Sequence, residues 1–128
     1  MSLKDQLKIM VVDDMTTSRG LIEQAMNEIG IWNVVSEADG QSAFRTLMAK
    51  PVHLVISDYN MPNMDGLQLL EQLRLSKATA RIGFILVTGR ADNAVLQKGR
   101  QLGMNNCLLK PFSVPQMKAC IEKVVGRL

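Results

Sequence analysis

The 128-residue chain is 47% hydrophobic and 21% charged, which suits one globular domain with a single sizeable core. Its apolar runs fall short of the roughly 18 residues needed to span a bilayer and no secretory leader pattern opens it, so a cytoplasmic protein without membrane contact is expected. The net charge of +3 comes without a basic run or interleaved aromatics, which argues against nucleic acid, and Cys107 and Cys120 lack the spacing of a zinc site or a redox dithiol.

The expected domain spans residues 1–128, with residues 1–6 read as an N-terminal extension or a cloning remnant. "KIMVV" (8–12) opens the pattern as a run of apolar, largely branched residues without period-2 alternation, which is what a strand covered on both faces requires. Leu21, Ile22, Ala25, Met26 and Ile29 then fall at helical spacing and predict core contacts, and Gly30 fits that helix's carboxyl end. "NVVSEA" (33–38) is a weaker strand with Trp32 at its start, and Asp39-Gly40 fits a turn opening the next helix. "HLVIS" (53–57) is a second short, largely apolar run, and Asp65-Gly66 repeats the helix-opening pattern. "GFILV" (83–87) is a third run, Gly103 fits another helix end, and "NCLLK" (106–110) is a weak last strand. Val114, Met117, Ile121, Val124 and Val125 predict the final helix, closed by Gly126. Gly20 and Gly99 stand inside helical patterns, each at a cost of about 1 kcal/mol against Ala. The order reads βα five times, which predicts a doubly wound α/β fold with a five-stranded parallel sheet and helices on both faces.

In such a sheet ligands bind beyond the carboxyl ends of the strands. The first strand ends in Asp13-Asp14, the third in Asp58, the fourth in Thr88 and the fifth in Lys110-Pro111. Alone, an acidic pair before a helix reads as a cap and a lysine as a solvated surface group, but four polar strand ends can converge. Three carboxylates in one crevice repel, so a proton or a cation must neutralise them, and an oxygen-only ligand set suits Mg²⁺. Asp58 is the central candidate, since a carboxylate can attack phosphorus and form an acyl phosphate. Lys110, two strands away, must span about 10 Å to pair with a phosphoryl oxygen there, and Thr88 offers a short hydroxyl donor. Gly89 would let the following loop approach closely, and Asp65 reads as a cap rather than a ligand.

"VVDD", "ISDYNMPNMDG", "LVTG" and "LLKPF", in this order and spacing, resemble a response-regulator receiver domain of the chemotaxis CheY-like stand-alone type, over almost the whole chain. The resemblance implies a flavodoxin-like (βα)₅ fold with strand order 2-1-3-4-5. It implies that Asp58 accepts a phosphoryl group from a histidine kinase's phosphohistidine, that Thr88 and Lys110 hold that group, and that the chain later dephosphorylates itself. It also implies Mg²⁺ bound directly by Asp14 and Asp58, by the Asn60 backbone carbonyl, and by Asp13 largely through water, with a cis Lys110-Pro111 bond. The output surface would be the face of the fourth helix, fifth strand and fifth helix, acting on a downstream protein, possible targets including the flagellar motor switch, with the chain a monomer. From Arg90 onward the chain has seven Lys and Arg against two Asp and Glu, a net +5, so an acidic partner segment is expected on that face.

Two positions depart from the family pattern. Many receivers carry an aromatic residue three positions before the strand-five lysine, where this chain has Cys107, so coupling either runs through the 88–93 loop or weakens. Cys107 is expected to pack in the interior rather than act as a redox sensor, and His53, at the opposite end of its strand, to be structural or solvated. Arg90, two residues past Thr88, lies where receivers vary access of hydrolytic water. Alternatives are a phosphate sink, a receiver of another pathway, a phosphorylation-independent interaction domain, or an aspartyl-phosphate phosphatase. The last would need two strand-one acids separated by one residue, where this chain has adjacent ones.

Overall fold

The computed structural model describes residues 2–90 and 92–128. Eleven elements follow in the order α1 (Leu3–Gln6), β1 (Ile9–Val12), α2 (Thr16–Ile29), β2 (Val34–Glu37), α3 (Gly40–Ala49), β3 (Leu54–Asp58), α4 (Gly66–Leu75), β4 (Gly83–Thr88), α5 (Asn93–Gln101), β5 (Asn106–Leu109) and α6 (Val114–Val125). The five strands form one parallel sheet in the order β2-β1-β3-β4-β5. The expected doubly wound sheet is therefore present. The single helical turn α1, within the expected residue 1–6 extension, shifts the helix count by one, so the fourth and fifth helices of the βα units are α5 and α6. Met1, part of that extension, lies outside the described residues.

The central strands are apolar throughout because each successive side chain enters a different core. Ile9, Val11, Leu54, Ile56, Ile85 and Val87 pack with Ile22, Ala25 and Met26 of α2 and Met117 and Ile121 of α6. Met10, Val12, Val55, Phe84 and Leu86 point the other way, against Leu47 of α3 and Leu69, Leu70 and Leu73 of α4. Leu21 does not join either core, being 57% exposed, and Trp32 lies just before β2 with 71% exposure rather than on the strand.

Turn chemistry sets where the helices start and stop. Asp39 accepts a hydrogen bond from Ser42 N at the head of α3, and Asp65 with Gln68 and Ser113 with Gln116 form reciprocal capping boxes on α4 and α6. Gly30 at φ 95°, Gly103 at φ 93° and Gly126 at φ 100° close helices in backbone conformations that side chains disfavour. At the amino ends of β4 and β5, the Arg74 guanidinium donates to the carbonyls of Ala80, Ile82 and Gly103 and to Asn105 Oδ1. Asn105 Oδ1 also accepts from Phe84 N. Burial pushes the Arg74 guanidinium below its ordinary pKa. His53 lies at this end too, its Nδ1 accepting from Lys8 N at 2.9 Å while exposed to solvent, which gives it the structural part expected.

Candidate functional site at the carboxyl ends of the strands

β1 and β3 are adjacent, so their ends bring Asp13 and Asp58 side by side, and Asp14 follows on the exposed rim. Carboxylate oxygens of Asp13, Asp14 and Asp58 lie within 4.8 Å of one another. Neither strand-one acid is spent as a helix cap: the N-cap of α2 is Met15, which makes no side-chain bond. Asp13 is fully buried, with Oδ1 accepting from Met15 N at 3.0 Å and its backbone carbonyl accepting from Arg19 Nη1 at 2.8 Å. Its Oδ2 is buried without a hydrogen-bond partner among the described residues. A buried, unpartnered carboxylate oxygen beside two further acids fits a hard cation that takes oxygen ligands, as Mg²⁺ does.

Asp58 is 7% exposed, and its carboxyl is pushed above the usual range first by burial and then by the Asp13 charge, against the opposing pull of Lys110. The Lys110 ammonium spans the distance from β5 and stands 3.2 Å from Asp58 Oδ1 and 3.6 Å from Asp13 Oδ2. Lys110 N donates to Thr88 O at 2.8 Å, which registers the two strand ends, and the Lys110–Pro111 bond is cis as expected. Thr88 is buried, and its hydroxyl is weakly engaged with the next turn, at 3.3 Å from Arg90 N and 3.4 Å from Arg90 O.

The loop after Asp58 folds back on its own strand. Gly66 N donates to Tyr59 O at 2.9 Å, and a Cβ on Gly66 would meet Asp58 O at 2.5 Å and Leu86 Cδ1 at 2.8 Å. Glycine is required there for close approach, and the next residues start α4 with Asp65 as the cap expected of it. Asn63 takes φ 69°, a value Asn tolerates, and Asn60 is exposed on the same loop. Gly89 differs from expectation: among the described residues a Cβ there would meet nothing within 4 Å, so no close approach to them explains that glycine.

Ser18 and Arg19 joined the site without being singled out in the sequence. Ser18 Oγ accepts from Lys110 Nζ at 2.7 Å. Cys107 packs against the α4 side of the sheet but is half-buried, bordering surface cavities of about 320 and 400 Å³ on either side of β5. Burial raises its thiol pKa, which opposes a redox-sensor role. A cavity of about 550 Å³ lies beside Lys110 between α2 and the start of α6, with Leu21, Ala25, Phe112 and Val114 in its wall.

A sequence profile of the response regulator receiver domain matches residues 9–122. The chain belongs to the response regulator receiver family. It is 42% identical to a probable chemotaxis protein CheY of Rhizobium etli, covering 100% of this chain and 99% of the relative. It is 29% identical to chemotaxis protein CheY-3 of Vibrio cholerae, covering 98% and 97%. Among solved structures, V. cholerae CheY4 superposes with TM-score 0.86 at 24% identity, over 92% of this chain and 98% of that one, a likeness of fold. The receiver domain of a Pseudomonas aeruginosa sensor histidine kinase, solved with a magnesium ion in its active-site cleft, gives TM-score 0.85 at 25% identity over 94% and 98%. This receiver is thus a signalling module, and among the described residues no helix is long and apolar enough to cross a membrane.

Proposed function

We propose that residues 1–128 work as one receiver domain in which Asp58 accepts a phosphoryl group from a histidine kinase and that the phosphorylated form binds a downstream protein in chemotaxis. The observation that carries this reading is the Lys110 ammonium 3.2 Å from Asp58 Oδ1 inside a three-carboxylate crevice, with buried Thr88 on the strand between.

In the proposed step an Asp58 carboxylate oxygen attacks the phosphorus of a phosphohistidine. The new P–O bond forms as the P–N bond breaks, and the electron pair stays on the ring nitrogen, so the imidazole leaves neutral when its other nitrogen carries a proton. Lys110 and Thr88 donate to phosphoryl oxygens, in the manner of positioned charges and dipoles that stabilise phosphoryl transfer. Bound Mg²⁺ would supply charge neutralisation for the acids and the phosphoryl group. Asp14 and Asp58 would ligate it directly, Asn60 through its backbone carbonyl and Asp13 largely through water, a role that suits the unpartnered Oδ2. Autodephosphorylation reverses the attachment: water attacks phosphorus, the Asp58 O–P bond breaks, and the carboxylate and inorganic phosphate are released.

The chemotaxis assignment draws support from the CheY relatives, and with it come the flagellar motor switch as target, the α5-β5-α6 face as its docking surface, and a cytoplasmic monomer. To test the chemistry, the protein is incubated with Mg²⁺ and acetyl phosphate and weighed intact over a quenched time course. A phosphoryl adduct on the wild type and none on Asp58→Asn is expected. A wild type that binds Mg²⁺ yet gains no adduct would sink the reading in favour of a phosphorylation-independent interaction domain.

A further inference from the structure

Lys110 is the member of the site that arrives on a long, flexible stem, and its side chain keeps 27% exposure. Burial alone therefore does not fix its ammonium. Its shortest contact is with neither carboxylate: Nζ lies 2.7 Å from Ser18 Oγ, against 3.2 Å from Asp58 Oδ1 and 3.6 Å from Asp13 Oδ2. The last distance is an ion pair rather than a hydrogen bond. Ser18 is in the first turn of α2, a helix anchored by buried Ile22, Ala25 and Met26. Lys110 is the one hydrogen-bond partner of its hydroxyl among the described residues. The ammonium has three donors, of which Ser18 and Asp58 take two, leaving one for an oxygen that arrives at Asp58.

We propose that Ser18 is a positioning residue for phosphoryl transfer, its hydroxyl holding the Lys110 ammonium against Asp58 before the donor arrives. The inference rests on Asp58 being the phosphoacceptor. With acetyl phosphate as donor, the bond from phosphorus to an Asp58 carboxylate oxygen forms, the bond from phosphorus to the acetate oxygen breaks, and acetate leaves with the electron pair. Lys110 gives up no proton in this step; its contribution depends on being aimed. Without the Ser18 hydroxyl the ammonium swings among the acids and solvent, so fewer encounters find it in place.

The experiment measures adduct formation by intact mass across a range of acetyl phosphate concentrations in wild type, Ser18→Ala, Ser18→Thr, Lys110→Ala and the Ser18→Ala/Lys110→Ala pair. Ser18→Ala is expected to lower the limiting rate about threefold to tenfold, the rate equivalent of one net hydrogen bond. Half-saturating acetyl phosphate and Mg²⁺ affinity should stay within about twofold, since the ammonium, though freer, remains in the crevice and its aim counts most where charge develops in the transferring group. Ser18→Thr, which keeps the hydroxyl, should restore the rate, and the double variant should be no slower than Lys110→Ala alone. A Ser18→Ala rate equal to wild type, no rescue by Thr, or a further loss in the Lys110→Ala background would overturn the inference while leaving Asp58 as acceptor. A wild type that takes up no phosphoryl group would overturn both.

Discussion

Cys120 is 6% exposed, and burial, with Cys107 nearby as a second cause, pushes its thiol up to about 11 from 9.0. The sign of the resulting pH dependence follows from linkage. Below 9.0 both states hold the proton and the stabilisation is fully present; as pH rises toward 11 the unfolded thiol ionises first, and stability is lost. Urea titrations should show the wild type losing on the order of 2 kcal/mol more than Cys120→Ala across that window. An identical pH dependence in the two proteins would contradict the assignment. The same scale shows what the sequence disclosed of the site. Asp13, Asp14, Asp58, Thr88 and Lys110 were legible because each ends a strand, and the fold rule places strand ends together. Ser18 was not, because its contact depends on which way a lysine stem bends, and no periodicity encodes a rotamer.

For whole elements the two glycines Gly66 and Gly20 make opposite predictions. A Cβ at Gly66 would run into the Asp58 carbonyl at 2.5 Å, and backbone there is fixed by β3. Gly66→Ala should cost about 1–3 kcal/mol through overpacking. It should also slow phosphoryl uptake, since α4 and the Asp58 strand end must part. Gly20, inside α2, has nothing within 4 Å of a Cβ among the described residues, so Gly20→Ala should gain roughly 0.5–1 kcal/mol. Shifts of the urea midpoint at constant slope would read both. β1, β3 and β4 were legible to within a residue or two because buried parallel strands are continuous apolar runs, whereas the partly exposed edge strands β2 and β5 read more weakly. Leu21 misled: helical spacing places a residue near a face, but the edge of the apolar stripe belongs to solvent or to a partner, and Leu21 sits on that edge.

Across the whole molecule charge is divided unevenly. Residues from 90 onward carry the net +5, and Arg100 of α5 and Lys123 of α6 are exposed beside β5. If an acidic segment docks there, binding of the phosphorylated protein to the downstream partner proposed for it should weaken several-fold between about 0.05 and 0.3 M salt. Charge reversal at Arg100 and Lys123 should flatten that dependence. Calorimetric titration at several ionic strengths would decide it, and an affinity indifferent to salt would reject charge as the selector.

The Arg74 guanidinium ties the carbonyls of Ala80, Ile82 and Gly103 to one another at the end of the sheet remote from Asp58. One planar group thus rivets a helix end, a strand start and a connecting turn, while the carboxyl rim holds Thr88 to its following turn with contacts no shorter than 3.3 Å. A Thr88 hydroxyl that turned toward a new oxygen at Asp58 would therefore give up little, while the far end of the sheet stays pinned.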